Sequence, residues 1–501
     1  MTAPLLVDLQ GTTLTPEERS LLARPGVAGV CLFSRNLTGI EQGRELVAAV
    51  REAAGRPLVI GIDQEGGGVV RLPQVSVAPS AMALGAVDDP ELTEALAAAT
   101  ARGVRRIGVN VDFAPVADVQ CNPANPVIGD RAFGADPELV ARHVAAFVRG
   151  LQASGVAATV KHFPGHGDVA VDSHLALPRL DADLARLDAV EWRPFAAGIA
   201  AGTAAVMSGH LVVSALDPER PATLSHALME GVLRERLGFD GVVFSDALDM
   251  RAVTARWSLS EAAVLASAAG VDVPVVCNVS AEVYDDLLDA LEQALAEGRL
   301  DPERIARAQA RLARLLQAYP SEAHEPDIAS LAADSAAEAE AARRAICAVG
   351  TPPRLLPGRP LALLGRPEVR SSAASDTARP VAALVDALEV LGVPVRWVHQ
   401  ADELTAVLAG AQGLVVATSE RVPLTPDAAS GYREAFAHAR AAGLPALHAA
   451  LWNPDHVRQL PGPALLSFGF RPASAAALAR ALLTGEAPGS APVPLTPWSE
   501  A

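Results

Sequence analysis

The segment KHFPGHGDVAVDSH, from Lys161 to His174, gathers three histidines, a lysine and two aspartates around two glycines, directly after the apolar run 156–160. Imidazole is the side chain best suited to moving protons near neutral pH. An aspartate two residues away, as Asp172 is from His174, can hold the second ring nitrogen, fix the tautomer and raise the basicity. An isolated DxH more often fastens a loop; directly after KHFPGHG, the pair reads as a general acid/base. In GVVFSDALDM, residues 241–250, an apolar strand ends at Ser245 and offers Asp246, a carboxylate suited to attack a carbon that develops cationic character. The competing role for an aspartate there, a helix cap, falls to Asp249. In GIDQEGGGVVRL, residues 61–72, Asp63 ends a strand, glycines admit a ligand close to the backbone, and Arg71 can reach back. Arg131, in GDRAF, is a second loop-borne guanidinium. With Lys161 and His162 these groups could surround a hydroxyl-rich or anionic substrate.

The ligand types His162, His166, Asp168, Asp172 and His174 also raise a metal-dependent hydrolase. No HxH ends the first strand and no HExxH occurs, so no metal is expected.

These residues need a scaffold that brings them together. Eight β-prone runs (5–9, 27–33, 58–63, 109–116, 158–162, 205–210, 241–245 and 271–277) alternate with helical stretches such as 41–54, 137–153 and 181–201. That alternation fits an α/β chain with an N-terminal (β/α)8, TIM-like barrel over residues 1–318. Asp63, Asp112, Lys161, His162, His210 and Asp246 then fall at or near the C-terminal ends of strands, the face that carries chemistry in barrels. A doubly wound sheet is the rival, without a GxGxxG after the first strand to support it. Asp301 and Pro302 should open a last barrel helix reaching Ala318. Residues 319–330, beginning YPSEAHEPDI, read as a polar linker. Runs at 361–364, 393–398, 413–417, 446–451 and 464–468 predict a C-terminal α/β sandwich domain over 331–501, with no dense motif.

Bulk properties narrow the function. A net charge of −17 argues against a nucleic-acid binder. Four cysteines, Cys31, Cys121, Cys277 and Cys347, form no CxxC and suggest reduced thiols. No basic segment followed by a long apolar one opens the chain, and no apolar run suggests a membrane span, so a cytoplasmic location is expected. Aromatic residues make up 4%, leaving few platforms for a long polysaccharide. The oligomeric state is not readable.

Together, VDLQGTTLTPEE, GVCLFSRN, IDQEGGGVVRL, NVDFAPVADV, NPVIGDRAFG, KHFPGHGDVAVDSHLALP, PATLS, GVVFSDALDM and VCN resemble glycoside hydrolase family 3 in its β-N-acetylglucosaminidase branch. The tail ALLSFGFRPASAAALARALLTGEAPGSAPVPL is similar to the end of the second domain in two-domain members. The resemblance implies Asp246 as nucleophile in a retaining reaction through a covalent glycosyl-enzyme, with His174 as acid/base and Asp172 as its partner. It implies Asp63, Arg71, Arg131, Lys161 and His162 as holders of the N-acetylglucosamine ring, with no metal or organic cofactor. It further implies an exo-acting hydrolase of small GlcNAc-terminated glycosides such as muropeptides. A phosphorylase using phosphate, and a non-catalytic sugar-binding protein on the same barrel, are the alternatives. One departure stands out: the family often reads EGGRV, and here Gly68 takes the place of that arginine, which could loosen an ion pair behind the sugar-binding residues.

Overall fold

Two separate sheets organise the chain, which a computed structural model describes over residues 2–169, 176–368, 379–496 and 498. In the first sheet eight parallel strands close into a barrel: β1 (Leu5–Asp8), β2 (Val27–Leu32), β3 (Val59–Ile62), β4 (Val111–Asp112), β5 (Ala157–Phe163), β6 (Ala205–Ser208), β7 (Val242–Ala247) and β8 (Val273–Val275). Neighbours follow chain order, and β8 returns to β1 with Leu6 opposite Val275. These strands are mostly apolar because both of their faces are covered, with polar residues gathered toward their C-terminal ends. Leu6, Val59, Val111, Ala157 and Phe244 fill the interior, where Phe113 meets Phe244 edge-on at 5.6 Å. Leu5, Val7, Ile60, Val160 and Val243 pack outward with the surrounding helices.

Helix Pro302–Ala318 is capped by Asp301, whose Oδ1 accepts from Glu303 N at 3.0 Å. Its Leu312 and Leu315 join the inner cluster, and the Tyr319 carbonyl accepts from Asn110 Nδ2 at 3.0 Å, just ahead of β4. This helix therefore closes the N-terminal end of the barrel and leaves the other end for ligand.

Two expected elements come out differently. The run 109–116 is a strand only over Val111–Asp112. Pro115 has no N–H for the ladder, and Asn110 instead engages Ile60 through backbone and side chain at 3.1 and 2.8 Å. The stretch 181–201 is Leu184–Arg186, a wide π-type turn over Leu187–Glu191, and then Arg193–Ala200. Pro194 cannot donate into a continuous helical ladder, so a new helix begins there. A two-stranded ribbon, Arg179–Leu180 beside Val212–Val213, gave no sequence signal.

The second sheet has six strands: β9 (Cys347–Val349), β10 (Leu361–Leu364), β11 (Val395–Val398), β12 (Leu414–Thr418), β13 (Ala446–Ala450) and β14 (Ala464–Leu466), ordered β9-β14-β13-β12-β10-β11. All pairs are parallel except β9 with β14. Leu361, Leu363, Val415 and Ala417 face helices Pro380–Val390 and Pro472–Thr484, whereas Ala362, Leu364, Leu414 and Val416 face helix Pro426–Ala441. The alternation is the period of two that a sheet covered on both sides requires. The result is an α/β sandwich.

Helix Ile328–Arg344 joins the two parts, starting from Asp327, whose side chain accepts from Ser330 N at 2.7 Å. It is clamped to the barrel by Arg102–Asp334 and by Arg344–Asp89 at 2.7 Å. Met82, Ala83 and Ala86 of the barrel share an apolar cluster with Cys347, Ala450, Leu466 and Phe468 of the second domain. Among the described residues, no helix is long and apolar enough to cross a membrane.

A close contact between two helices gives a test. A Cβ on Gly150, in helix Pro137–Ala153, would lie 2.1 Å from the Glu94 carbonyl oxygen of helix Pro90–Arg105. Gly150→Ala should cost about 2–3 kcal/mol in urea unfolding. Gly231→Ala, helical with nothing within 4 Å of the new carbon, should be neutral or gain about 0.5–1 kcal/mol. Equal midpoints for the two variants would contradict this packing.

Candidate active site

The C-terminal ends of the barrel strands surround a cavity of about 160 Å³. Asp63, Arg71, Arg131, Lys161, His162 and Asp246 all line it, although they come from four separate stretches of chain. Asp63 stands one residue past β3 and Lys161 within β5, so barrel closure makes them neighbours: Nζ donates to Asp63 Oδ1 at 2.8 Å. The same ammonium lies 2.6 Å from Glu65 Oε1. Glu65 in turn receives Arg131 through two parallel bonds, Nε to Oε2 and Nη2 to Oε1, both 2.8 Å. Arg71 Nη2 reaches Asp63 Oδ2 at 3.4 Å, and its guanidinium lies 5.5 Å from the centre of the Phe33 ring.

Burial alone would strip these groups of charge. Desolvation raises Asp63 and Glu65, but the cations beside them prevail: Lys161 and Arg71 hold Asp63 low, and Arg131 and Lys161 hold Glu65 well below the usual carboxylate range. Desolvation likewise disfavours the Lys161 ammonium, and the two carboxylates outweigh it. The array is thus fully ionised and mutually paired at neutral pH.

His162 is set by Asp118, whose Oδ2 lies 2.8 Å from Nδ1. With Nδ1 donating to that carboxylate, Nε2 is left to accept from Arg131 Nη2, 3.3 Å away. Asp118 also accepts the backbone N–H groups of His162 and His166, at 3.3 and 2.6 Å. His166 lines the cavity as a neutral imidazole, pushed down to about 4 chiefly by burial. Asp246, within β7, accepts from Ala247 N at 2.8 Å through Oδ1.

Other expected roles need correction. Asp249 does not cap a helix: Oδ1 accepts from Cys277 N at 2.8 Å and Oδ2 faces Asn278 Nδ2 at 3.3 Å, tying the loop after β8 to the site. His210 bonds Thr223 Oγ1 and the Ala247 carbonyl, at 2.8 and 2.9 Å, and so braces the strand that carries Asp246. Asp112 receives Gln64 N at 2.9 Å and is fully buried. The space beside Gly68 is taken by the second domain, for a Cβ there would sit 2.9 Å from Trp452 Cζ2. Asp172 and His174 lie outside the described residues. Of the possible metal ligands, Asp168 pairs with Arg186 at 2.6 Å and His162 with Asp118. Among the described residues no group of three His, Cys, Asp or Glu side chains is placed to hold a metal ion.

Sequence reasoning passed over Glu65 and Asp118. Each had a signal. Glu65 sits two residues past Asp63 before a glycine run, and Asp118 is a carboxylate inside the apolar stretch NVDFAPVADV, where burial demands a partner.

Asp112 offers a test through pH. Burial pushes its carboxyl up to about 8, and its Oδ2 has no hydrogen-bond partner. An acid whose folded pKa is raised holds its proton in the folded chain after the unfolded chain has lost it. Stability from this group is therefore full below about pH 4 and falls by up to about 1.4 kcal/mol per pH unit until about pH 8. Asp112→Asn keeps the acceptor for Gln64 and removes the titration. Urea unfolding at pH 5 and pH 8 should show a smaller loss with rising pH in the variant; equal losses would contradict it. Asp63, Glu65 and Asp118 act oppositely, adding stability above about pH 4 that disappears as pH falls through their depressed values.

Comparison with known proteins gives the family. The model of the Glycosyl hydrolase family 3 N terminal domain matches residues 6–315. A Beta-hexosaminidase of Idiomarina loihiensis is 38% identical over 303 residues, covering 59% of this chain and 91% of that protein. A Beta-hexosaminidase of Xylella fastidiosa (strain M23) is 44% identical over 294 residues, covering 57% and 86%. A solved family 3 beta-N-acetylglucosaminidase from Paenibacillus sp. str. FPU-7 superposes with a TM-score of 0.91 at 33% identity, covering 99% of this chain and 98% of that one. The first two relatives cover somewhat more than half of this chain, and the third covers nearly all of it. With the family's N terminal domain matched over residues 6–315, more than half of its length, this chain belongs to glycosyl hydrolase family 3.

Proposed function

We propose that this protein is an exo-acting, retaining β-N-acetylglucosaminidase that removes terminal GlcNAc from small glycosides, muropeptides among them, through a covalent glycosyl-enzyme on Asp246. One observation carries the reading: Asp246 shares a cavity of monosaccharide scale with the ionised Asp63–Lys161–Glu65–Arg131 array and with His162 beside it. Such an array offers fixed donors and acceptors to ring hydroxyls without reorganising, and the carboxylate supplies the nucleophile. The names of the relatives, hexosaminidases and a β-N-acetylglucosaminidase, support the same substrate class.

In the first step an Asp246 carboxylate oxygen bonds to the anomeric carbon as the glycosidic C–O bond breaks. The leaving oxygen takes the proton of the His174 imidazolium, which Asp172 stabilises; these two roles rest on the DSH motif. In the second step water attacks the same carbon, His174 takes its proton, and the ester to Asp246 breaks. Two inversions give net retention. No metal or organic cofactor enters.

Water rather than phosphate is the proposed acceptor. Each cation lining the cavity is already engaged by a carboxylate, Lys161 by two, which disfavours a phosphate dianion. A cytoplasmic place in muropeptide recycling belongs to the proposal, supported by four free cysteines, three of them buried.

The test is to incubate the protein with an aryl β-N-acetylglucosaminide, with and without phosphate, and identify the sugar. Free GlcNAc at a rate indifferent to phosphate is expected. GlcNAc-1-phosphate would make the protein a phosphorylase, and no release in either arm would make it a sugar-binding protein. Asp246→Ala should lower kcat by about 10⁴-fold; a variant within tenfold of wild type would remove Asp246 as nucleophile.

A further inference from the structure

The second domain contacts the barrel at many points, but three of its side chains converge on the two loops that carry Glu65 and Arg131. Arg421, buried in the loop after β12, donates through Nη2 to the Val127 carbonyl. That same carbonyl accepts from Arg131 Nη1 at 3.2 Å, so one oxygen is shared by a guanidinium of the second domain and a guanidinium of the sugar site. Val127 itself lines the cavity. Arg421 also counters the charge of Asp130, the buried carboxyl next to Arg131 in sequence. It is held in turn through its own carbonyl, which accepts from Asn453 Nδ2 at 2.8 Å.

The opposite loop is held from the same side. Arg471 Nε donates to the Gly67 carbonyl at 2.8 Å, and the Trp452 indole fills the space beside Gly68. Trp452 is backed by Phe470, their ring centres 4.6 Å apart. Gly67 and Gly68 follow Glu65 by two and three residues. The second domain thus grips both ends of the Glu65–Arg131 pair, from behind and without lining the cavity.

We propose that Arg421 is a positioning residue of the sugar site: through the Val127 carbonyl it sets the Arg131 guanidinium against Glu65 and His162, while Trp452 and Arg471 fix the Glu65 loop to match. The second domain is then a working part of the barrel's binding site. This inference rests on the reading that the Glu65–Arg131 array holds the GlcNAc ring.

Bonds made to ring hydroxyls away from the reacting carbon act on substrate and transition state alike, so loosening them raises KM and spares kcat. Removing a charged donor from a buried acceptor is worth about tenfold in binding. In the full-length protein, Arg421→Ala should raise KM for an aryl β-N-acetylglucosaminide about tenfold with kcat within about twofold. Arg421→Lys, which restores a cationic donor, should bring KM back to within about threefold of wild type. Arg344→Ala is the control, for it breaks an interdomain ion pair that touches neither loop, and its KM should match wild type. Amide hydrogen exchange without ligand gives the second readout: residues 125–131 should exchange faster in Arg421→Ala than in Arg344→Ala. Wild-type KM and exchange in Arg421→Ala would overturn the proposal, as would losses equal to those of Arg344→Ala. The exchange arm needs no substrate. A wild type that releases no GlcNAc would remove the proposed function and leave this contact to be judged by exchange.

Discussion

The structure turns on one buried cation. Lys161 carries its charge where only 2% of the side chain meets solvent, between Asp63 and Glu65. An unpaired ammonium there would cost several kcal/mol, and so would either carboxylate alone. The Lys161 charge favours ionisation of both acids, and Lys161 and Arg131 share Glu65 Oε1 as their acceptor. Arg131 fixes the face that it shows His162, and Asp118 fixes the other ring nitrogen. The chain of dependence crosses the barrel mouth from β3 to β5 over the short β4, between residues 98 positions apart. The parallel order β3–β4–β5 supplies that juxtaposition, so the site depends on the fold.

An array of this kind is costly to assemble and suited to hydroxyl recognition. Every member is already paired, so a sugar meets oriented donors and acceptors and pays little for their ordering. Asp246, the proposed nucleophile, stands apart, on β7, with its strand braced from behind by His210 and the adjoining loop tied by Asp249. On that proposal, binding and bond-making fall to different strands of one rim. Loops are the mobile parts of a barrel, and two of the loops that carry the array are covered by the second domain.

Much of this was legible in the sequence, and the reasons differ by residue. Barrel strands buried on both faces read as apolar runs, so their number and most of their positions could be counted. Asp63, Lys161, His162 and Asp246 break such runs at their ends, where a polar group has no reason to be unless something meets it. Glu65 and Asp118 were harder, because their partners are dozens of residues away and are chosen by barrel closure. Asp112 and His210 occupy the expected strand ends yet serve the backbone, since position along a strand does not say which groups lie opposite. The break at Leu187–Glu191 depends on how the chain passes into Pro194, and strand β9 is only three residues long. Asp249 looked like a cap because local sequence shows the helix beside it and not the loop after β8. Gly68 read as a missing arginine; its meaning lies in Trp452, nearly four hundred positions away.

On the proposed function, Asp246 makes the bond to the sugar while the Lys161 array holds it. A fluorinated GlcNAc donor with a good leaving group, which slows breakdown of a glycosyl-enzyme more than its formation, addresses this directly. After reaction, proteolysis and mass spectrometry would locate the attached sugar. One GlcNAc-derived adduct per chain, carried as an ester on Asp246, is expected. An adduct on Asp63, Glu65 or Asp249, or steady turnover of the reagent with no adduct at any carboxylate, would contradict it.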